Sequence, residues 1–166
     1  MNAVLVGFKR SPFTIANKGL LSKIRPEDIL SQVINDLVKT TNINKDDIED
    51  IIAGCAYPEG AQGYNIAKIV SFMTDMPEHV GGMTINRWCG SSMQAIHSAA
   101  GAISMNAGKV FICCGIESMT FVPINGLNYT PNPELLIDKP NVYLSMGLTA
   151  ENVAKKYNLS RKEQQD

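Results

Sequence analysis

Several features that would assign a chain quickly are scarce or missing here. Of 166 residues one is tryptophan and two are histidine, and 15 lysines and arginines nearly cancel 16 aspartates and glutamates, for a formal net charge of −1. Such balance removes the electrostatic ground for binding nucleic acid or an acidic membrane surface, and neither is expected as a partner. No apolar run approaches the roughly 20 residues needed to cross a bilayer, so no membrane span is expected. Met1 to Arg10 is briefly apolar but lacks a basic region, signal-length apolar stretch and small-residue cleavage site. The four cysteines Cys55, Cys89, Cys113 and Cys114 are too sparse for a disulfide framework. A cytoplasmic setting with free thiols is the expectation, which leaves the sequons at Asn128 and Asn158 without a role. There is no Cys-x-x-Cys, His79 and His97 lack ligand spacing, and Cys113 and Cys114 would point to opposite faces of a strand. No metal site is expected, and no repeat or low-complexity segment occurs.

What is present is ordinary globular texture, 45% hydrophobic and 19% charged, in a chain long enough for one core. Ala3 to Phe8 is compactly apolar before Lys9-Arg10-Ser11-Pro12-Phe13 breaks it, which predicts a buried first strand. From Pro26, a favourable first helical residue, Ile29, Leu30, Val33, Ile34, Leu37 and Val38 share one helical face. Asn44 with Asp46 and Asp47 predicts a helical turn, and Ile48 to Ala53 a strand. Asn65 to Thr74 repeats at helical spacing and Met83 to Ile85 predicts a strand running toward Cys89. Ser91 to Asn106, with Met93, Ile96, His97, Ala100 and Ile103 at helical intervals among alanines and serines, predicts a helix able to be buried on all sides, and Lys109 to Cys114 a buried strand. Strands that are continuously apolar and alternate with helices predict an α/β fold: a parallel-dominated mixed sheet with helices on both faces. Phe121 to Asn141 holds four prolines and predicts an irregular excursion, followed by a short helix around Thr149 to Tyr157. Ser160 and Glu163 form a capping box for a helix that Asp166 leaves unfinished, so the chain is expected to be a piece of something longer.

Cys89 stands where a strand gives way to a helix, and the free N–H groups of a first helical turn favour a thiolate, the nucleophilic form. The bland counterpart is a buried cysteine serving as inert filler. His97 lies two turns along the helix, about 12 Å from Cys89 at 1.5 Å per residue, too far to share a proton directly, and is expected to be a packed or interface residue. Asn86 and Arg87 are expected to fix the loop before the nucleophile.

The segment Asn86-Arg87-Trp88-Cys89-Gly90-Ser91-Ser92-Met93-Gln94-Ala95 resembles the nucleophile segment of the thiolase family. Four further stretches agree in family order: Arg10 to Phe13, Gln62 to Ala67, Cys114 to Met119 and Met146 to Asn152. The continuation to His97, with Phe121-Val122-Pro123, is most similar to the 3-ketoacyl-CoA thiolases of bacterial fatty-acid β-oxidation. The resemblance implies that residues 1–120 are the thiolase-like N-terminal α/β core and 121–166 the start of the substrate-covering loop region, with the C-terminal domain absent from this chain. It implies an acyl-CoA C-acyltransferase in which catalytic Cys89 carries an acyl group while coenzyme A serves as co-substrate, with no other cofactor. It gives Met146 a substrate-contact role, although Ser145 stands where some relatives carry a histidine. The activating histidine and second cysteine of the family are expected outside these residues. A homo-oligomer and a hydratase/dehydrogenase subunit are the implied protein partners. A biosynthetic acetyl-CoA C-acetyltransferase, a decarboxylating ketosynthase and a non-catalytic scaffold remain open as alternatives.

Overall fold

The computed structural model describes residues 2–166 and divides into two compact units, Met1–Leu127 and Asn128–Asp166. In the first, helix α1 (Pro26–Thr41) leads through a 3-10 turn, capped by the Asn44 side chain, into strand β1 (Ile48–Gly54). Helix α2 (Ile66–Met73), strand β2 (Gly81–Ile85), helix α3 (Ser91–Ser104) and strand β3 (Val110–Gly115) follow. The sheet order is β2-β1-β3 and both pairings are parallel, with Ile52 aligned to Met83 on one side and Cys113 on the other.

Period-two alternation along β1 divides the core between two faces. Ile51 and Ala53 pack with Leu30, Ile34 and Val38 of α1 and Ile66 and Val70 of α2. Ile52 faces the other way, onto Ala95 and Ala99 of α3, with Phe111 and Cys113 alongside. Both faces of β1 are therefore covered, which is why Ile51-Ile52-Ala53 reads as an unbroken apolar run. The α/β class with helices on both faces holds, and the three paired strands are all parallel.

Three expectations change. Ala3 to Phe8 forms no strand, and Val4, Leu5, Val6 and Phe8 are all well exposed. A strand exists only by hydrogen bonding to a neighbour, and no described strand pairs with this segment. On α3 the small residues, not the large ones, meet the sheet: Ala95 and Ala99 are buried while Met93, Ile96 and His97 are exposed, because close approach to β1 leaves room only for methyl-sized side chains. His97 is accordingly not packed within this chain. The segment after Ser160 forms the capping box, with the Ser160 N–H donating to Glu163 Oε2 at 2.8 Å, but continues only as turns.

The second unit holds α4 (Pro133–Asp138), a 3-10 turn at Pro140–Tyr143 and α5 (Met146–Tyr157), and none of its residues is buried. Helix α4 interrupts the expected irregular stretch because the Asn132 side chain accepts from the Leu135 N–H at 2.9 Å with Pro133 following it. Helix α5 starts three residues before Thr149, where the Ser145 hydroxyl accepts from the Leu148 N–H. No helix among the described residues is long and apolar enough to cross a membrane.

Truncating Ile51, fully buried between two helices and two strands, should cost about 2–5 kcal/mol. Chemical denaturation of Ile51→Ala in the intact protein measures this, and a loss well under 1 kcal/mol would contradict the packing described.

Candidate active site at the start of the third helix

Parallel strands end together, and the connections from β1 through α2 and from β2 through α3 leave on opposite faces of the sheet. The crevice outside the carboxyl ends at such a divergence is where ligands bind in open α/β sheets. Cys89 lies at that carboxyl edge of the sheet, four residues past the end of β2, and is exposed. The bland counterpart of a buried, inert cysteine does not apply to it.

The start of α3 is set against the strand ends by backbone contact. A methyl group at Gly54, the last residue of β1, would overlap the Ser91 and Ser92 backbone, and one at Gly115, ending β3, would overlap the Ser92 side chain. Gly90 occupies the N-cap with no side chain capping the helix and no acidic residue in its first turn. The positive end of the macrodipole is thus unshielded beside Cys89, and among the described residues the Cys89 N–H has no acceptor.

The turn leading in is strained and pinned. Trp88 adopts φ 49°, the left-handed region that costs a bulky residue about 1–3 kcal/mol. Asn86 Oδ1 accepts from the Trp88 N–H at 2.8 Å, while Asn86 Nδ2 donates to the Ala56 carbonyl at 2.9 Å. The Ser91 hydroxyl accepts from the Arg87 N–H at 2.8 Å and donates to the Trp88 carbonyl at 2.6 Å. The Tyr57 ring meets Trp88 edge-on, centroids 5.3 Å apart. Asn86 fixes the turn through its side chain and Arg87 through its backbone, whose carbonyl also accepts from Gly90 at 3.0 Å. Ser91 and Tyr57 were not singled out from the sequence, where a serine inside a small-residue run and a tyrosine in a loop carry no distinguishing signal.

The other thiols sit in different surroundings. Burial, then the neighbouring Glu117 carboxylate, pushes Cys55 up to about 12. Burial, then Cys113 alongside, pushes Cys114 up to about 12, and burial raises Cys113. Cys113 and Cys114 face opposite sides of the sheet as expected, Cys113 with the α3 cluster and Cys114 with the α1–α2 cluster. Among the described residues no three His, Cys, Asp or Glu side chains converge as metal ligands. His79 and Cys89 stand at opposite ends of β2, a five-residue strand that spans roughly 16 Å. Met146, in the second unit, is the exposed first residue of α5.

Residues 3–166 match the family model described as "Thiolase, N-terminal domain". The chain belongs to the thiolase family. It is 40% identical over 162 residues to a 3-ketoacyl-CoA thiolase of Bacillus subtilis, covering 98% of this chain and 41% of that protein. A 3-ketoacyl-CoA thiolase of Aeromonas salmonicida is 35% identical over 99% of this chain and 43% of its own length. Among solved structures, the Acat5 thiolase from Ascaris suum in complex with coenzyme A aligns with a TM-score of 0.72 and 27% identity, over 89% of this chain and 41% of that one. This thiolase chain therefore spans about two fifths of the length of the relatives it matches.

Iodoacetamide at neutral pH should label Cys89 ahead of the other three thiols, read by peptide mass, and earlier labelling of Cys55 or Cys114 would contradict the surroundings described. Because Cys55 and Cys114 both titrate higher in the folded state than the ordinary ~8.5, their contribution to stability is complete below that pH. It declines as pH rises from there toward about 12. Urea midpoints falling between pH 8 and 10 in wild type, and falling less in Cys55→Ala, check the sign. Gly54→Ala should displace the start of α3 and change the rate at which iodoacetamide labels Cys89 severalfold, measured against the unmutated protein at equal folded concentration.

Proposed function

We propose that the intact protein is an acyl-CoA C-acyltransferase that cleaves 3-ketoacyl-CoA with coenzyme A, and that Cys89 carries the acyl group. The observation that carries this reading is the exposed Cys89 thiol at the uncapped start of α3, in a chain of the thiolase family. The relatives' names supply the substrate class, and the coenzyme A held by the Ascaris suum thiolase agrees with it.

In the first half-reaction the Cys89 thiolate attacks the 3-keto carbonyl, forming the S–C bond and placing negative charge on oxygen. Collapse breaks the bond between carbons 2 and 3, and the electron pair leaves on acetyl-CoA, which takes up a proton. In the second, the thiolate of free coenzyme A attacks the Cys89 thioester, releases the shortened acyl-CoA and returns the sulfur. The unpaired Cys89 N–H at the helix start suits one donor of an oxyanion hole. The activating histidine that the thiolase resemblance implies is not matched by His97, two turns from Cys89, or by His79, at the far end of β2.

Within the chain, residues 1–120 form the nucleophile-bearing core and 121–166 open the substrate-covering region, where Met146 contacts the pantetheine or acyl chain. Degradative β-oxidation, a cytoplasmic location, a homo-oligomer and pairing with a hydratase/dehydrogenase subunit complete the reading.

Incubating the intact protein with an acyl-CoA should add one acyl mass to the Cys89 peptide, and added coenzyme A should remove it. Cys89→Ser should lower thiolysis by about three orders of magnitude or more. An acyl adduct absent from Cys89 sinks the proposal, and activity confined to acetoacetyl-CoA moves the protein to the biosynthetic branch.

A further inference from the structure

Two side chains with no part in this chemistry are bonded to the segment on which the nucleophile turn rests. Gln62 is completely buried. Its Nε2 donates to the Tyr57 carbonyl at 2.8 Å and to Glu117 Oε1 at 2.8 Å, and lies 3.5 Å from Cys55 Sγ, while its Oε1 accepts from the Ser118 N–H. Glu117 Oε2 accepts from the Ala56 N–H at 2.7 Å. The carboxamide and the carboxylate thus grip Cys55 to Tyr57 from two sides, and a buried amide making this many bonds is costly to misplace.

That gripped segment is what the nucleophile turn touches outside itself. Cys55 N–H donates to the Ile85 carbonyl at 3.0 Å, the Ala56 carbonyl accepts from Asn86 Nδ2, and the Tyr57 ring lies against Trp88. The bonds from Asn86 Oδ1 and Ser91 to the backbone of Arg87 and Trp88 close the turn on itself and do not orient it against the sheet. Orientation comes from Ala56 and Tyr57 on one side and from the glycine-lined rest of α3 on the other.

We propose that Gln62 and Glu117 are positioning residues for the nucleophile. By fixing Ala56 and Tyr57 they hold Trp88 in its left-handed conformation and so set the direction in which Cys89 presents its sulfur and its N–H. Neither residue bonds to Cys89; Gln62 acts through Tyr57 and Trp88, and Glu117 through Ala56, Asn86 and Trp88. The inference rests on the reading of Cys89 as the acyl carrier.

The test is a charge swap in the intact protein. Q62E sets a second carboxylate against Glu117 and removes the donor to the Tyr57 carbonyl, whereas the Q62E/E117Q double variant restores the bond between the two side chains but not the one to Tyr57. Q62E should lower kcat per acylable Cys89 about tenfold or more, as displacement of an attacking atom does, with KM for the acyl-CoA within about twofold. The double variant should recover only the part of the loss that comes from carboxylate repulsion, since the Tyr57 carbonyl stays without its donor. A residue that serves stability alone would lower Tm and the acylable fraction without changing kcat per acylable site. Should Q62E not fold, Tyr57→Leu removes the ring from Trp88 while leaving the carbonyl that Gln62 binds, and a severalfold fall in kcat is expected. Rates per acylable site within twofold of the unmutated protein in Q62E overturn the proposal. If the unmutated protein accepts no acyl group, the functional reading alone falls. The series is then read as the iodoacetamide labelling rate of Cys89, and identical rates in all variants overturn the positioning role.

Discussion

No side chain fits between the end of β1 and the first turn of α3. Gly54 and Gly115 end two neighbouring strands, and at both a Cβ would run into Ser91 or Ser92. The helix therefore lies on the carboxyl edge of the sheet at backbone distance, and the rest of its inner face must be small, which Ala95 and Ala99 satisfy. Everything distinctive about Cys89 follows from this rest: its place outside the strand ends, its proximity to an uncapped helix start, and the need for a tight, left-handed residue at Trp88 to bring the chain round in so few residues.

The core serves that arrangement from both sides. Strand β1 is buried on both faces, so its position is set by α1 and α2 beneath and α3 above, and its end at Gly54 is as fixed as the core itself. Beyond Gly54 the chain would be free to wander. Gln62 and Glu117 prevent it by bonding Ala56 and Tyr57, and through these the turn containing Asn86 and Trp88. A rigid sheet supplies coarse placement, and a small polar network at its edge supplies the fine placement that a reacting atom requires.

The periodicities that built the fold were legible where burial is local. The face of α1 from Leu30 to Val38 and the apolar run of β1 correspond directly to the observed core. Reading failed where an element needs a distant partner. Ala3 to Phe8 has the composition of a strand and no strand beside it. On α3 the large apolar side chains are the ones that pattern alone would bury, yet Met93 and Ile96 are exposed because the close backbone approach admits only alanine. The caps at Asn132 and Ser145 were present as letters, but a cap is recognised only once the turn it closes has formed.

The sequence by itself determined the class of fold and the family, and it singled out Cys89 as the candidate nucleophile, because these rest on local order: a strand's apolar run, a helix's spacing, and the wording around one thiol. Only the tertiary structure decided which of four cysteines are open to solvent, which face of α3 meets the sheet, and that Gln62, Glu117, Asn86 and Trp88 belong to one chain of contacts. Those residues lie up to 55 positions apart in the cases of Gln62 and Glu117. Side chains at such separations meet only when parallel strands bring their carboxyl ends to one edge, an outcome of packing that no local pattern encodes.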